Sequence, residues 1–235
     1  MKTYIINLRR RKYRRSRMES ILPPEIKPEF STYWKGPFDG RKLNASMLKG
    51  YGFFRWKIDS DNQWWNRPLK KGEIGCAISH WQCWRRANKN NDQLILILED
   101  DVCFVDNFWC KLQFGLTSLT RFVPEWDLLY LGRVRIEPDT PAFDGIIKPG
   151  YSHCTFAYIL TQSGIYKILQ TSFEKAIIPV DEFLPAMYID HPRADVRKRY
   201  PKRLSAYAFE PPIVLQLPKS IAGSDTEDSD FYEFE

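Results

Sequence analysis

The chain has 235 residues, of which 43% are hydrophobic and 15% aromatic, enough to bury one sizeable core and to exclude an intrinsically disordered protein. Its formal net charge of +6 is uneven, because arginines crowd residues 9–17 whereas residues 225–235 are acidic. The five cysteines lack the spacing of a zinc site, and this favours mainly reduced, packed thiols. One disulfide, formed in an oxidising compartment, is the alternative. We expect a single α/β domain over residues 1–235.

No apolar run is long enough to span a bilayer, and the N-terminus passes almost directly into a strand without the apolar region of a signal peptide. We therefore expect a cytoplasmic protein of bacterial, viral or host origin, or a domain cut from a longer protein of the endoplasmic reticulum lumen. The sequence gives no indication of an oligomeric state.

The N-terminal residues predict a strand followed by a basic helix. Residues 3–8 are apolar enough for a buried strand, and the arginines of residues 9–17 precede Met18 and Ile21, which suits a helix with a cationic face. Nucleic-acid binding is the rival explanation for these arginines. It is disfavoured because the run is short, directly follows a core strand and has no nucleic-acid motif beside it.

The next two segments predict aromatic packing and an amphipathic helix. Residues 51–65 are rich in Phe and Trp, which more often fill a core than form a wall for a bound acceptor. Residues 71–88 carry apolar side chains at three- and four-residue spacings, typical of a helix. His80 lies within it, either as a packed core histidine or as a contact to a bound donor molecule.

The stretch that organises the chain is an aliphatic run that ends in three acids. Residues 94–98 predict a strand buried on both faces, and Glu99, Asp100 and Asp101 follow without a spacer. Because such charges are costly to desolvate and carboxylates suit hard cations, a divalent metal is the simplest partner, although a solvated turn or a helix N-terminus is the alternative. Alternation along an extended segment would direct Glu99 and Asp101 to the metal or substrate, and Asp100 to a neighbouring loop.

The second half of the chain alternates strand and helix patterns. Helices are predicted for residues 107–119, from residue 161 onward and from residue 179 onward, and strands are predicted for residues 126–133, 151–160 and 206–209. At the third of these helices two acids are adjacent. Asp181 and Glu182 are either a cap and a dipole-compensating charge, or a general base on a rigid element.

Eight segments, in this order, carry a resemblance to a known family. They are Ile6-Asn7-Leu8 before the arginines, Asp39-Gly40, Lys71–Cys76 with Ser79-His80, Leu98–Asp101, Asp127–Arg133, Thr155–Tyr158, Pro179–Pro185 and Ser224–Glu227. Together they resemble glycosyltransferase family 25, most closely the catalytic domain of the collagen hydroxylysine galactosyltransferases and more loosely the bacterial lipooligosaccharide galactosyltransferases. A giant-virus homologue is also compatible with the chain.

This resemblance implies a GT-A fold: a single nucleotide-sugar-binding domain with a mostly parallel sheet flanked by helices. The donor-binding part would cover about residues 1–135, and the acceptor side with a C-terminal closing segment about residues 136–235. It also implies a UDP-sugar donor, Mn²⁺ or Mg²⁺ as cofactor, and inversion at the anomeric carbon. Tyr13 and Cys154 depart from the family pattern, which expects an acid and an aromatic residue there.

Site residues follow from the same resemblance. Metal ligands would be Glu99, Asp101 and, as a third, Asp225. Contacts to the donor would come from Asn7, Leu8, Arg15, Asp39, Lys71, Glu73, His80, Asp100, Arg133 and Ser224. The catalytic base would be Asp181 or Glu182, opposite the metal, in a single displacement.

The implied function is transfer of a hexose from a UDP-sugar to a hydroxyl, with hydroxylysine of a collagen-like protein as the first choice of acceptor. The alternatives are a glycan acceptor of the lipooligosaccharide kind, or a catalytically inactive domain that binds a UDP-sugar. Nucleic acid is not expected as a partner.

Overall fold

A mixed β-sheet runs through the domain in the computed structural model, which describes residues 1–233. The strands in chain order are β1 Lys2–Ile6, β2 Pro28–Phe30, β3 Leu94–Glu99, β4 Val102–Phe104, β5 Leu128–Arg135, β6 Thr140–Phe143, β7 Ile146–Lys148, β8 Ser152–Thr161, β9 Ala206–Phe209 and β10 Val214–Gln216. Eight of them form one sheet in the order β2-β1-β3-β8-β5-β9-β7-β6, and β10 pairs with β4 separately. The eight-stranded sheet therefore draws strands from residues 2–209.

Six of the eight strands in this sheet run in the same direction. β1 is parallel to both β2 and β3, and β5 is parallel to β9. β8 is antiparallel to both β3 and β5, and β7 is antiparallel to both β9 and β6. Within residues 1–233, β8 and β7 thus run against the other six strands, and the predicted α/β class with a mostly parallel sheet is confirmed.

Helices cover both faces of this sheet. They are α1 Lys12–Ile21, α2 Lys71–Asn90, α3 Phe108–Phe122, α4 Gln162–Leu169, α5 Val180–Ala186, α6 Ala194–Arg199 and α7 Lys219–Ala222, with short 3₁₀ turns at Ser31–Tyr33, Gly40–Lys42 and Phe173–Lys175. Over the described residues, each helix is too short or too polar to cross a bilayer.

β3 contributes buried side chains to both layers of the core, as its aliphatic run predicts. Ile95 and Ile97 pack with the layer that contains α2, α4 and α5, whereas Leu96 and Leu98 pack with the layer that contains α3. All four side chains are fully buried. Since truncation of a buried Leu to Ala costs about 2–5 kcal/mol, this strand is firmly anchored, and the acids at its end are held in place by the core.

The C-terminal segment closes over the N-terminus of α2. The backbone N–H groups at the start of the helix donate to Asp230 and Ser229: Lys71 N lies 2.8 Å from Asp230 O, and Gly72 N lies 2.8 Å from Ser229 Oγ. A Cβ at Gly72 would lie 2.3 Å from Asp225 O, so a larger residue would displace the segment. These contacts hold residues 225–230 beside the tip of β3.

Two features differ from the sequence-based expectations. β3 ends at Glu99, and Asp100 and Asp101 form a turn rather than continuing the extended segment. The β6–β7 hairpin was not predicted, because Pro141 and its exposed neighbours show no alternation of apolar and polar residues.

Candidate functional site

A pocket lies at the carboxyl ends of β1 and β3, which end side by side because Ile6 pairs with Glu99. We call it the strand-tip pocket. Its lining is Ile6, Leu8, Arg14, Phe38, Gly40, Gly72, Cys76, Ser79, Glu99, Asp100, Asp101, Gln216, Gly223, Ser224, Asp225 and Thr226. Open α/β sheets bind ligands at this edge. The fold thus brings four predicted site acids, Glu99, Asp100, Asp101 and Asp225, to one cavity.

Asp101 is buried in this pocket with one oxygen unsatisfied. Its Oδ2 accepts from Gln216 Nε2 at 3.2 Å, whereas its buried Oδ1 has no hydrogen-bond partner within residues 1–233. Burial, followed by the charges of Glu99 and Asp100, raises the pKa of Asp101 to about 7. A buried carboxylate oxygen without a donor is costly unless a cation or another donor meets it.

Glu99 faces the same cavity and contacts a histidine from α2. His80 Nε2 lies 3.4 Å from Glu99 Oε1, and burial followed by the charge of Asp100 raises the pKa of Glu99 to about 7. His80 is fully buried, and this lowers its pKa to about 3, so the ring is neutral. Its Nδ1 lies 2.7 Å from Tyr158 Oη, which also accepts from Trp84 Nε1 at 3.1 Å. The ring is therefore fixed in orientation.

Asp100 is bonded to the structure around it. It accepts from Asn7 Nδ2 and from Arg14 Nη1, both at 2.7 Å, and Arg14 also donates to the carbonyl of Ala222 at 2.6 Å. Burial is the largest influence on the pKa of Asp100 and raises it above its usual value despite these donors. Asp100 thus connects β1, α1 and the C-terminal segment.

Asp225 is held by arginines from the basic run. Its Oδ1 accepts from Arg10 Nη2 and from Arg11 Nη2, both at 2.6 Å. Burial opposes ionisation of Asp225, but the bonds from Arg11 and Arg10 outweigh it and lower its pKa. Arg10 also bonds to Asp39. These arginines are engaged with carboxylates and form part of the pocket wall.

A second pocket adjoins the first and shares Cys76, Glu99, Gln216, Ser224 and Thr226 with it. We call it the adjoining pocket. Its other lining residues are Trp64, Glu73, Cys154, Thr155, Pro179, Val180, Asp181, Lys219 and Glu227. The start of β8 supplies Cys154 and Thr155 because this strand runs antiparallel to β3. Asp181 and Glu99 therefore border one continuous cleft.

Asp181 and Glu182 have opposite surroundings although they are neighbours on α5. Asp181 lines the adjoining pocket and makes no hydrogen bond or ion pair within the described chain, and burial followed by the charge of Glu182 raises its pKa to about 7. Glu182 is 4% exposed and is not part of either pocket lining. An unpartnered acid that faces a cleft can exchange a proton with a bound molecule, which Glu182 is not positioned to do.

Four side chains surround Glu182, and we call these five residues the Glu182 cluster. Its Oε2 accepts from Tyr151 Oη at 2.6 Å and from His191 Nε2 at 2.7 Å, and its Oε1 accepts from Trp65 Nε1 at 3.3 Å and lies 3.7 Å from His153 Nε2. His191 donates through Nε2 because its Nδ1 accepts from the backbone N–H of Arg193. Burial opposes ionisation of Glu182, but these hydrogen bonds outweigh it and lower its pKa.

The remaining predicted donor contacts lie at different distances from the cleft. Asn7, Leu8 and Asp39 line a basic cleft together with Arg9, Arg10, Ser31, Thr32, Tyr33, Trp34, Lys35, Gly36, Phe38 and Lys42. Leu8 and Phe38 line the strand-tip pocket as well, so the two cavities adjoin. Arg15 bonds to Glu19 and Tyr33 on the outer side of α1.

Three further predicted contacts have structural partners. Glu73 lines the adjoining pocket, bonds to Arg67 and accepts from the backbone N–H of Lys70 at 2.7 Å, which caps α2. Lys71 starts that helix without lining either pocket. Arg133 pairs with Asp139 at 2.6 Å and lines a separate pocket beside β9, so it is not brought to the strand tip.

Sequence reasoning passed over Arg14 and the partners of Glu182. Arg14 lies one helical turn before Met18, and both are buried, so the apolar Met18 was a signal that this face of α1 points inward. Tyr151, His191 and Trp65 had no such signal, because nothing in the local sequence around them indicates a contact with Glu182.

The residues at the tip of β3 fit a hard divalent cation. Glu99 and Asp101 offer carboxylate oxygens to one cavity. The buried Oδ1 of Asp101 has no hydrogen-bond donor within residues 1–233, and the nearby cation, Arg14, lies 3.9 Å from the other oxygen, Oδ2. The raised pKa values of both acids have the same cause, which is burial without sufficient neighbouring positive charge.

Comparison with known proteins agrees with this geometry. Residues 1–149 match the family model described as glycosyltransferase family 25 (LPS biosynthesis protein). "Probable inactive glycosyltransferase 25 family member 3" of Rattus norvegicus is 35% identical over 96% of this chain and 40% of its own length. "Procollagen galactosyltransferase 1" of Danio rerio and "Procollagen galactosyltransferase 2" of Homo sapiens are each 34% identical over 99% of this chain, and over 39% and 38% of their own lengths.

The chain thus spans about 40% of the length of the curated relatives that it matches. The family match covers more than half of the chain and includes the tip of β3, where Glu99, Asp100 and Asp101 lie. On this evidence, the chain belongs to glycosyltransferase family 25.

Proposed function

We propose that this chain is a metal-dependent, inverting glycosyltransferase domain that moves a hexose from a UDP-sugar to a hydroxyl acceptor. The observation that carries the proposal is the pairing of two unsatisfied acids in one cleft. Asp101 offers an unpartnered oxygen in the strand-tip pocket, and Asp181 offers an unpartnered carboxyl group in the adjoining pocket. Such a cleft supplies both a cation site and a proton acceptor.

Glu99 and Asp101 would hold Mn²⁺ or Mg²⁺, with Asp225 as a further ligand only if it exchanges its arginine partners. The cation would neutralise negative charge on the leaving diphosphate. Arg14 borders the same pocket and adds positive charge there while it holds Asp100. The basic cleft adjoining the pocket, with Tyr33 and Trp34 in its lining, is suited to the uridine moiety.

Asp181 would act as the base. Its raised pKa near neutrality suits removal of a proton from an acceptor hydroxyl. In a single displacement, the acceptor oxygen bonds to the anomeric carbon as the bond from that carbon to the UDP oxygen breaks, and the acceptor proton passes to Asp181. Glu182 would hold α5 in place rather than take this proton, because its oxygens are occupied by donors.

We propose that the acceptor carries an amine and is hydroxylysine of a collagen-like protein. We propose galactose as the sugar that is transferred. Procollagen galactosyltransferases are among its relatives. The adjoining pocket is lined by four carboxylates, Glu73, Glu99, Asp181 and Glu227, against one lysine. This negative lining would attract the amine of hydroxylysine and repel the phosphates of a lipooligosaccharide.

The second candidate is a domain that binds a UDP-sugar without transferring it, since one relative is named probable inactive. It is favoured by the engagement of Asp225 with Arg10 and Arg11. Against it stand the unsatisfied Oδ1 of Asp101 and the unpartnered carboxyl group of Asp181, which a binding domain would not require.

The test measures release of UDP from a panel of UDP-sugars with and without Mn²⁺. Release is measured first without an acceptor, as hydrolysis, and then with a hydroxylysine-containing peptide. We expect turnover that requires Mn²⁺, is highest with UDP-galactose, and falls at least about 100-fold in Asp101→Ala. Asp190→Ala is the matched control, because Asp190 is an exposed carboxylate paired with Lys202. Equal turnover in Asp101→Ala would reject the metal assignment, and UDP binding without turnover would favour the inactive domain.

A further inference from the structure

A second set of metal-binding groups meets at the tip of β3, and it differs in chemistry from the paired carboxylates. Cys76 and His80 lie four residues apart on one face of α2, and Glu99 faces them from the strand. One ligand atom from each of these three side chains lies within 4.8 Å of the other two. The proposed hard-cation site does not use Cys76 or His80, and the proposed displacement does not use them either.

The spacing of these atoms is close to that of a coordinated metal. Two ligands at about 2.0–2.1 Å from one zinc ion, arranged tetrahedrally, lie roughly 3.3 Å from each other. His80 Nε2 and Glu99 Oε1 are 3.4 Å apart. A contraction of at most about 1.2 Å would bring the Cys76 sulfur from within 4.8 Å of the other two ligand atoms to the separation of about 3.6 Å that a tetrahedral site requires.

The histidine has the support that a metal-ligating imidazole needs. Its Nδ1 lies 2.7 Å from Tyr158 Oη, and Trp84 Nε1 donates to the same hydroxyl. A partner on the second ring nitrogen orients the ring and directs the first nitrogen toward the metal. Here that arrangement leaves Nε2 directed at Glu99.

The donor set is a thiol, an imidazole and a carboxylate. Zn²⁺ accepts this mixture, whereas Mn²⁺ and Mg²⁺ prefer oxygen alone. Cys76 and Glu99 both line the strand-tip and adjoining pockets, so a fourth coordination position would open into the cleft. Three protein ligands with one open position are typical of an accessible zinc site rather than a closed structural one.

We propose that Cys76, His80 and Glu99 form a zinc-binding site that shares Glu99 with the oxygen-only pair of Glu99 and Asp101. Binding replaces the proton of the Cys76 thiol with zinc and releases that proton to solvent. Because Glu99 cannot serve both sites fully, zinc weakens binding of a hard cation at the strand tip. The zinc site stands on its own geometry and does not depend on transferase activity.

The first test is a Co²⁺ titration of the full chain, followed by absorbance. We expect a thiolate-to-cobalt charge-transfer band that saturates at one equivalent and is displaced by Zn²⁺. Cys76→Ser and His80→Ala remove the band, whereas Cys154→Ser and Cys110→Ser keep it. Cys154 is the matched control because it lines the same cleft without belonging to the trio. Circular dichroism reports whether each variant is folded.

Absence of the band in the folded wild-type chain, or its persistence in Cys76→Ser, would overturn the proposal. The second test measures free Mn²⁺ by electron paramagnetic resonance while Zn²⁺ is added. We expect one equivalent of Zn²⁺ to weaken Mn²⁺ binding at least about tenfold in the wild type and less than about twofold in Cys76→Ser. An equal effect in both proteins would reject the sharing of Glu99. If Mn²⁺ does not bind at all, the metal-dependent function fails while the cobalt result still decides the zinc site.

Discussion

Two regions of the molecule use carboxylates in opposite ways. In the Glu182 cluster a buried acid is surrounded by donors, with Tyr151 and His191 each within 2.7 Å. In the cleft beside it, Asp101 is buried and Asp181 is half-buried, and both have fewer donors than they can use. The pKa is correspondingly lowered for Glu182 and raised for Asp181 and Asp101.

The difference teaches that burial alone does not assign a role to an acid. Burial acts to raise the pKa of Glu182, Asp181 and Asp101 alike, and the supply of hydrogen-bond donors decides the net direction. A satisfied carboxylate stabilises the fold, whereas an unsatisfied one keeps the capacity to bind a cation or accept a proton. The predictions below test this division.

The largest expected effect is on catalysis. Asp181→Asn removes the proposed base and should lower the turnover number about 10³-fold, while the affinity for UDP changes less than about twofold. Steady-state kinetics and calorimetric titration with UDP measure the two quantities. Glu182→Gln is the comparison variant, and a greater loss of turnover in folded Glu182→Gln would transfer the role of base to Glu182.

The next effect is on stability. Glu182→Gln removes a buried charge that accepts from Tyr151 and His191, and it should lower the free energy of unfolding by about 3 kcal/mol. For a chain of this size that corresponds to a fall of roughly 6–12 °C in Tm, measured by thermal unfolding. A fall below about 2 °C would contradict the stabilising role of the cluster.

In the absence of metal, Asp181→Asn should change the free energy of unfolding in the opposite direction to Glu182→Gln, and by a smaller amount. The pKa of Asp181 is raised in the folded state, so the wild type loses stability as pH rises from about 4 toward 7, where the unfolded carboxyl ionises first. Asp181→Asn should therefore be more stable than wild type at pH 8, on the order of 1 kcal/mol, and equal to it near pH 3.

Glu182 follows the reverse rule, because its folded pKa is lowered. The contribution of Glu182 to the free energy of unfolding is fully present above its unfolded-state pKa of about 4.3 and is lost as pH falls through its folded-state pKa. The loss of stability in Glu182→Gln should therefore be smaller at acidic pH than at neutral pH. Unfolding curves of both variants across this range make the comparison. If Asp181→Asn were destabilised at pH 8, the division between the two acids would be wrong.

The smallest effect is expected at Asp225. Because its carboxylate is occupied by Arg10 and Arg11, Asp225→Asn should weaken Mn²⁺ binding less than about threefold, against at least about 100-fold for Asp101→Ala. Titration of Mn²⁺ followed by electron paramagnetic resonance measures both. A loss at Asp225→Asn that equals the loss at Asp101→Ala would restore Asp225 as a full metal ligand.

Much of the fold could be predicted because its signals are local. The aliphatic run before Glu99 indicated a strand buried on both faces, and β3 is one. The apolar spacing of residues 71–88 indicated α2. The β6–β7 hairpin and α6 escaped prediction, because both are short and lack a clear apolar period.

By itself, the sequence determined that acids follow a core strand and that Asp181 and Glu182 stand together, because both facts are contained in consecutive residues. Only the tertiary structure decided which acid has partners. Neighbours on a helix point about 100° apart, so Glu182 turns toward Tyr151 and Trp65, which lie 31 and 117 residues away in the chain, while Asp181 faces the cleft. Electrostatic environment is set by contacts between distant segments, and those contacts exist only once the chain has folded.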